Sequence, residues 1–494
     1  MKRLLYAFFL GVLLLSNLST QAQKNKKPNI VWVITDEHNF RTLGCYRDLM
    51  EPEQAKQWGD KVVDTPNLDW LASNGAMFTS MYASSPVCSP SRSSMFTGQY
   101  PHTVNMSVNN NVIDKSYPTI ANVLNKEGYK TGYVGKWHLS GESKPGWAPE
   151  ASHGFVNNRY MFNRGHWKVF GMSNDGTPFI AVKNKKGEPS YGMAGANEKT
   201  YSTDWLMDRT IDFIDENKKD PFFCVVSLPE PHGPDAVRAP YDMMYKDNVF
   251  SMPRTFLEGR NEHSPKWRKL DKKVNNPKKM QDMIATYFGS VKCIDDNIGK
   301  LITSLKEKGI LENTIIMFSS DHGDLLGEHN QVNKGAPFEG SALIPCIVYA
   351  KQTIKAGTVI NTAVNNTDWM PTFLNMASVK NQPKFAGKDL SPLLKNPNLK
   401  SWDGVTFSRI HKSWVAVISD RYKLAIDVSS KSQPWLIDTK NDPDELINHY
   451  GEKQYKTIAV ELAKKLKNYV ITENDPFKDN AEFSKKLEQV LVYK

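Results

Sequence analysis

The segment Asn29-Ile-Val-Trp-Val-Ile-Thr-Asp-Glu37 joins a continuous apolar run directly to two carboxylates. Such a run is typical of a strand that is covered on both faces of a parallel sheet. Apolar runs of the same kind recur along the chain, at 129–134, 222–228, 314–318 and 344–349. Helical stretches lie between them, at 119–125, 203–217 and about 281–308. This alternation predicts an α/β fold in which helices sandwich a large, mostly parallel or mixed sheet.

The pattern changes after about Leu374, where a smaller C-terminal unit is predicted. Two neighbouring apolar runs, 414–418 and 422–426, flank Ser-Asp-Arg as the strands of a β-hairpin would. A further strand and a terminal helix are predicted at 435–438 and at about 455–469. We therefore predict a catalytic domain over residues 28–375. A smaller α+β subdomain with an antiparallel sheet and a terminal helix is predicted over 376–494.

Polar motifs follow four of the predicted strands of the large sheet. They are Thr35-Asp36-Glu37, Gly135-Lys136-Trp137-His138, Pro229 to Pro234, and Ser319 to His329. Each motif alone is weak evidence, because polar residues often end strands. Ligands of open α/β sheets collect at the carboxyl ends of the strands, so motifs that meet at one edge indicate a functional site.

The stretch Cys88-Ser-Pro-Ser-Arg-Ser-Ser-Met-Phe-Thr-Gly98 predicts the start of a short helix. Pro90 suits the first helical turn, and Cys88 and Arg92 are four residues apart, so they share a helix face. The positive end of a helix dipole favours anions, which makes a cysteine there chemically unusual. The alternative is an inert buried thiol beside a surface arginine.

The whole stretch resembles the signature of the type I sulfatases, members of the alkaline phosphatase superfamily, which reads Cys-x-Pro-Ser-Arg and closes on Thr-Gly. In that family a formylglycine-generating maturation enzyme oxidises the cysteine to formylglycine (3-oxoalanine), and the hydrated aldehyde is the nucleophile. The resemblance implies an alkaline phosphatase-like fold over roughly Pro28 to Tyr450. It also implies hydrolysis of a sulfuric ester, with Cys88 as the precursor of the nucleophile.

The resemblance further implies a calcium site, or a magnesium site as in some family members. Hard divalent cations prefer several oxygen ligands. The matching positions are Asp36, Asp321, His322 and the diol oxygen of modified Cys88. Glu37 stands where the family usually has a second aspartate, so it is a predicted ligand whose longer side chain either reaches the ion or points elsewhere.

The same resemblance assigns the remaining catalytic roles. Lys136 and Lys334 correspond to two lysines that clamp the sulfate, and His232 corresponds to the general acid. Arg92 and His138 would hold the diol and its charge. In the implied reaction one diol hydroxyl attacks sulfur while His232 protonates the departing alcohol. The second hydroxyl then loses its proton, and the aldehyde reforms as inorganic sulfate leaves.

The first 22 residues predict a signal peptide. Met1-Lys2-Arg3 precedes an apolar run, Leu4 to Leu15, and small residues lead to Ala22. The run is too short to span a bilayer, and no other segment has about eighteen unbroken apolar residues. We therefore predict an exported protein, periplasmic or secreted, without a membrane span.

Composition narrows the class of protein further. The chain has 494 residues, of which 40% are hydrophobic, so a sizeable core is expected. Five cysteines are too few for a disulfide framework. The net charge of +10 is compatible with a polyanionic substrate, although solvated lysines explain it equally well. The sequence contains no nucleic-acid-binding motif and no internal repeat.

The substrate is predicted to be a sulfated saccharide. The long segment from Gly141 to Asn197 carries Trp147 and Trp167 among basic residues and glycines, and long insertions at strand ends often shape substrate sites. Arg409 and His411 of the C-terminal unit are further predicted contacts. The alternative is that these aromatic residues cover the core.

Two other functions stay open at the level of the sequence. A phosphonate monoester or phosphodiester hydrolase of the same superfamily would use much the same residues, and the Asp321-His322 pair fits it too. An inactive protein that only binds sulfated glycans is the other alternative, and it predicts an unmodified Cys88.

Overall fold

The computed structural model describes residues 27–257, 264–268, 271, 274, 276–429 and 431–492. The predicted signal peptide, residues 1–22, lies outside the described residues. Within the described part of the chain, no helix combines the length and the apolar character needed to cross a bilayer.

The described residues form sixteen strands in four sheets. In chain order they are β1 (Asn29–Asp36), β2 (Ala76–Phe78), β3 (Met81–Tyr82), β4 (Lys130–Lys136), β5 (Asn157–Phe162), β6 (Phe170–Met172), β7 (Pro178–Ile180), β8 (Phe222–Pro231), β9 (Thr314–Ser320), β10 (Cys346–Tyr349), β11 (Thr358–Ile360), β12 (Val364–Asn365), β13 (Val405–Ile410), β14 (Trp414–Ser419), β15 (Tyr422–Asp427) and β16 (Trp435–Asp438). All of the strands predicted from apolar runs are among them.

The large sheet has eight strands in the order β11-β2-β10-β9-β1-β8-β4-β5. Strands β9, β1, β8, β4 and β5 are parallel to their neighbours within this group. Strand β10 runs antiparallel to both β9 and β2, so the sheet is mixed. The four strands that carry the polar motifs, β9, β1, β8 and β4, are adjacent, which brings their carboxyl ends to one edge.

Helices cover the large sheet and the smaller sheet that follows it. The described helices are Gly44–Arg47, Pro52–Ala55, Pro66–Asn74, Cys88–Thr97, Ile120–Lys126, Ser202–Asn217, Tyr241–Met244, Pro277–Glu307, Glu339–Ala342, Trp369–Met376, Ser391–Lys395, Lys456–Thr472 and Ala481–Leu491. The longest, Pro277–Glu307, begins where the Asn276 side chain accepts a hydrogen bond from the Lys279 backbone N–H.

Strand β1 shows why the large sheet is buried on both faces. Its side chains alternate between two separate apolar cores, as successive residues of a strand must. Val31 and Val33 belong to one core, which also contains Ile294 of the longest helix. Ile30 and Trp32 belong to the other. The prediction of an α/β sandwich is therefore confirmed.

The C-terminal unit is an antiparallel sheet of four strands, β13 to β16 in sequence order. The helix Lys456–Thr472 packs on it through Leu462 and Leu466, which share a core with Val415. A second helix, Ala481–Leu491, follows it and was not predicted. Asn480 caps this helix by accepting a hydrogen bond from the Phe483 backbone N–H.

Candidate active site

Cys88 is the first residue of the helix Cys88–Thr97 and is buried at the carboxyl edge of the large sheet. Its Sγ atom lies 3.2 Å from His322 Nε2 and 3.8 Å from Asp36 Oδ1. Burial opposes ionisation of the thiol, but Lys334 and Lys136 lower the pKa of Cys88 well below its ordinary value. The position of Cys88 therefore favours a negative charge.

Arg92 contacts residues of four neighbouring strands or of the segments that directly follow them. Its guanidinium is fully buried and donates through Nε to Asp321 Oδ2 at 2.8 Å and through Nη1 to the Lys136 carbonyl at 2.7 Å. Nη1 also donates to Ser227 Oγ of β8 at 2.8 Å, and Nη2 lies 3.4 Å from Asp36 Oδ2. One turn of helix after Cys88, the arginine thus holds both carboxylates beside the cysteine.

Four side chains form a candidate metal-binding group: Asp36, Cys88, Asp321 and His322. One ligand atom of each lies within 4.8 Å of the others. His322 Nδ1 donates to the Gly323 carbonyl at 3.0 Å, so Nε2 is the ring nitrogen that faces the group. Although burial opposes the charge, Asp321 and Cys88 raise the pKa of His322 to about 9. Two carboxylates and an imidazole that attract positive charge fit a divalent cation.

Glu37 faces a different set of partners. Its Oε1 lies 3.0 Å from Lys334 Nζ, and its Oε2 lies 2.9 Å from His232 Nε2. Glu37 has a φ of 65°, a left-handed conformation that is uncommon for a residue with a side chain. The chain thus turns directly after Asp36, and Glu37 stands outside the four-residue group. Its predicted role as a metal ligand stays a prediction.

His232, at the end of β8, lies where Glu37 and Lys334 meet. Its Nδ1 donates to the Gly233 carbonyl at 2.7 Å, which leaves Nε2 directed toward Glu37 and Lys334. Burial and the Lys334 ammonium oppose protonation of the ring, but the carboxylates of Glu37 and Asp36 outweigh them and raise the pKa of His232 above its ordinary value. The imidazolium form, which can give up a proton, is therefore favoured in this position.

Lys136 and His138 follow β4. Lys136 is fully buried and its Nζ contacts Asp36 Oδ2. Gly135 has a φ of 110°, and a Cβ there would lie 2.0 Å from the Ser227 carbonyl oxygen, so this turn requires glycine. His138 Nε2 lies 3.1 Å from Asn110 Oδ1, and its Nδ1 has no hydrogen-bond partner among the described residues.

His166 belongs to the same cluster and was not predicted from the sequence. Its ring stacks on His232 with centroids 3.6 Å apart and planes 9° apart. Its Nε2 lies 2.8 Å from Lys136 Nζ and 3.7 Å from Asp36 Oδ2. His166 follows the carboxyl end of β5, the next parallel strand along the sheet, and this position was the signal that could have identified it.

A cavity of about 550 Å³ opens beside this cluster. Residues from the catalytic edge, the loop before Cys88, a loop near residue 267 and the C-terminal sheet line it together. They are Val87, His232, Lys266, Trp267, Asn333, Lys334, Gly335, Ile410 and Ser413. A volume of this size is typical of a small-ligand site.

The four predicted substrate contacts lie elsewhere. The Trp147 ring packs against core aromatic rings, among them Phe162 at 5.4 Å. Trp147 is partly buried and Trp167 is buried, and neither tryptophan lines the cavity. Arg409 is buried and pairs with Asp475 at 2.9 Å, and His411 is likewise absent from the lining. Side chains of a strand alternate between its faces, so Ile410 of β13 reaches the cavity while Arg409 points away from it.

Two relatives resemble the chain along almost its whole length. An "Ulvan-active sulfatase" of Formosa agariphila is 28% identical over 483 residues, which are 95% of this chain and 86% of the relative. An "N-acetylglucosamine-6-O-sulfatase" of Bacteroides thetaiotaomicron is 26% identical over 541 aligned positions, covering 94% of this chain and 90% of the relative.

Solved structures share the fold. A structure in complex with its substrate D-glucosamine-2-N,6-O-disulfate has a TM-score of 0.72 and 24% identity, and the match covers 93% of this chain and 99% of that one. The phosphonate monoester hydrolase of Agrobacterium radiobacter has a TM-score of 0.69 and 19% identity, over 90% and 96% of the two chains. The fold alone therefore does not separate sulfatases from phosphonate hydrolases.

The family models and the names of the relatives favour the sulfatases over the phosphonate hydrolases. The model described as "N-sulphoglucosamine sulphohydrolase, C-terminal" matches residues 327–472. The Sulfatase model matches residues 28–379, which are more than half of the chain and contain every residue of the cluster around Cys88. The chain therefore belongs to the sulfatase family, and it is a sulfuric ester hydrolase.

Proposed function

We propose that this enzyme removes sulfate from a sulfated saccharide, with formylglycine made from Cys88 as its nucleophile. The observation that carries the proposal is the position of Cys88 at a helix N-terminus, between two buried carboxylates and within the field of Lys136 and Lys334. Relatives named for activity on ulvan and on N-acetylglucosamine-6-O-sulfate support the saccharide as substrate class.

The modification and the metal are part of this proposal. Formylglycine would supply a geminal diol, of which one hydroxyl forms the bond to sulfur and the other allows the aldehyde to reform. We propose that Asp36, Asp321, His322 and the modified Cys88 hold Ca²⁺, with Mg²⁺ as the alternative. A divalent cation there would polarise sulfate oxygens and make a hydroxyl more acidic. The proposal also requires a maturation enzyme.

Lys136 and Lys334 are proposed to bind the sulfate group. Both are buried or nearly so, and both lower the pKa of the Cys88 thiol. Fixed cations in a site that excludes water stabilise negative charge without reorganising, which is commonly the largest contribution to catalysis. Arg92 is not proposed to bind the sulfate, because its N–H groups already donate to Asp321, to Ser227 and to the Lys136 carbonyl. We propose that it positions the carboxylates.

His232 is proposed as the general acid. Its Nε2 carries the proton in the imidazolium form, because Nδ1 already donates to the Gly233 carbonyl. The Glu37 carboxylate favours that form. His232 also lines the cavity in which the departing alcohol would lie. Protonation of the leaving oxygen from this position replaces the charge that would otherwise develop there.

The proposal includes export, which rests on residues 1–22 of the sequence. A signal peptide would deliver the enzyme to the periplasm or the medium, where sulfated glycans are accessible. N-terminal sequencing of the enzyme secreted by its own host tests this point. A mature chain that begins after Ala22 is expected, and a retained Met1 would contradict it.

Two measurements test the proposed function together. Mass spectrometry of the peptide that contains position 88 is expected to show the aldehyde and its hydrate instead of a thiol. The same preparation is then assayed with an aryl sulfate, an aryl phosphodiester and a panel of sulfated saccharides. A preference for the phosphodiester would establish the phosphonate or phosphodiester hydrolase as the better assignment. Binding of saccharides without turnover, with an intact thiol, would indicate the inactive glycan-binding protein.

A further inference from the structure

We propose that the cavity beside Cys88 binds a sugar unit that carries a second anionic group, through Trp267 and Lys266. This inference rests on the proposed function, because it takes His232 and Lys334 as the reacting end of the cavity. It adds the chemical class of the leaving group, which the catalytic cluster alone does not define.

The cavity has two chemically different ends. Lys334 and His232 form the end next to the catalytic cluster. Ile410 of β13, Ser413 of the turn that follows it, and Trp267 form another part of the wall. An ester whose sulfate binds at the catalytic end therefore places its alcohol part against this wall. A volume of about 550 Å³ accommodates a sugar unit.

Trp267 offers an unpaired donor in this wall. Its side chain is 2% exposed, and its Nε1–H has no hydrogen-bond acceptor among the described residues. A buried N–H without a partner is unfavourable, and buried tryptophan N–H groups usually find one. A hydroxyl, ring oxygen or anionic oxygen of a bound sugar would supply that acceptor.

The tryptophan is also held firmly in place. Its ring meets the Trp414 ring at a centroid distance of 6.0 Å and an angle of 71°. Trp414 in turn donates its Nε1–H to the Gly335 carbonyl at 2.9 Å, and Gly335 follows Lys334. The packed rings of Trp267 and Trp414 thus link the proposed sugar contact at Trp267 to the backbone next to Lys334. This packing holds the position of Trp267 relative to Lys334.

Lys266 supplies the charge that selects an anionic sugar. Its side chain is exposed and lines the cavity, and its backbone N–H donates to Asp427 Oδ2 at 3.0 Å, which anchors the residue. Among the described residues, no carboxylate forms an ion pair with its Nζ atom. The part of the lining that the structure describes contains no acidic side chain, and Lys334 is already paired with Glu37. Lys266 therefore remains available for a carboxylate or a second sulfate.

The test compares two glucosamine 6-sulfates that differ in the group on nitrogen, which is a neutral acetyl group in one and an anionic sulfate in the other. They are N-acetylglucosamine 6-sulfate and glucosamine 2-N,6-O-disulfate, and 4-nitrophenyl sulfate serves as a small ester that does not reach the wall. The modified enzyme is compared with its Lys266→Gln variant. We expect kcat/KM to fall about tenfold on the disulfate and to stay unchanged on the other two esters. Lys351→Gln, an exposed lysine beyond β10 at the opposite edge of the sheet, is the matched control.

A second variant, Trp267→Phe, keeps an aromatic ring and removes the N–H group. We expect it to lower kcat/KM on both saccharides and to leave the aryl sulfate unaffected, and a thermal unfolding curve verifies that it is folded. An unchanged ratio of disulfate to monosulfate turnover in Lys266→Gln overturns this inference alone. Hydrolysis of the aryl sulfate without either saccharide overturns it as well. Failure of the modified wild type on all three sulfate esters would instead contradict the proposed function.

Discussion

The carboxyl edge of the large sheet and the four-stranded C-terminal sheet both bury charged side chains, but they arrange them differently. In the C-terminal sheet, different buried cations lie against different carboxylates. Arg409 pairs with Asp475 at 2.9 Å, and Lys423 lies 2.7 Å from Glu445. At the catalytic edge one carboxylate, Asp36, is shared by Lys136, Arg92 and His166.

The difference shows that buried charge does not by itself identify a catalytic site. The paired charges of the C-terminal sheet neutralise each other and fasten it to the rest of the chain, since Lys423 of β15 also contacts Glu339 of the helix Glu339–Ala342. The charges of the catalytic edge surround a thiol and border a cavity. Cysteines show the same contrast. Burial raises the pKa of Cys346, whereas Lys334 and Lys136 lower that of Cys88.

The largest effect is expected from Cys88→Ala. This variant removes the proposed nucleophile, so kcat should fall by about 10⁴-fold or more while the protein stays folded. Sulfate release and thermal unfolding measure the two quantities. Cys346→Ala is the matched control at a structural thiol, where we expect normal kcat and a lower stability. Steady turnover by Cys88→Ala would remove the proposed mechanism.

Removal of divalent cations is expected to have the second largest effect. Chelation should lower kcat by roughly 10³-fold, because a bound cation contributes several kcal/mol to charge stabilisation. It should also lower the unfolding temperature of the enzyme, since a ligand that binds only the folded state stabilises it. Added Ca²⁺ or Mg²⁺ should restore both, and the better ion identifies the metal. Full activity after exhaustive chelation would contradict the metal site.

A pair of lysine variants tests the two regions directly. Lys334→Ala should lower kcat/KM by about 10²–10³-fold with a small effect on unfolding. Lys423→Met should lower stability and leave kcat/KM nearly unchanged, because it leaves the buried carboxylates of Glu339 and Glu445 without their cation. We expect a loss of about 3–5 kcal/mol in the free energy of unfolding and a normal kcat in the folded fraction. The comparison fails if both variants lose activity to the same extent without unfolding.

The pH dependence of the reaction tests the pairing of Glu37 with His232. The carboxylate raises the pKa of the imidazole, so kcat/KM should decline only as the pH rises through this raised value. Glu37→Gln removes the negative charge, and the alkaline limb of the profile should therefore move to lower pH. A pH–rate profile of each enzyme measures the shift. An unmoved limb would mean that another group is the acid.

His411→Ala is expected to have the smallest effect. The side chain does not line the cavity, so kcat/KM should stay within about twofold of the wild type on saccharide and aryl substrates. This variant distinguishes two hypotheses for saccharide binding: contact with His411, as the sequence predicts, or contact with the cavity wall that contains Ile410. A large loss of activity on saccharides alone would instead support the prediction that His411 contacts the substrate.

The sequence by itself determined the strands, the edge at which their polar motifs meet, and the start of the helix at Cys88. These features depend on local patterns: apolar runs, the residues that follow them, and a proline in the first turn. The family signature then assigned roles to residues such as Lys334 that follow no predicted strand directly. Neither the local patterns nor the family signature requires knowledge of which distant segments of the chain are in contact.

Tertiary structure alone decided how the side chains face one another. His166 reaches Lys136 across thirty residues of sequence, and Glu37 faces other partners than Asp36 does, at a backbone position with a left-handed φ of 65°. Trp267 and Ile410 share one cavity although they belong to different parts of the chain. No local pattern encodes these contacts, because each depends on the packing of whole sheets and loops against each other. For the same reason the sequence of β13 does not predict whether Arg409 faces the cavity or the core. The packing of the strand decides this, and it places Arg409 against Asp475.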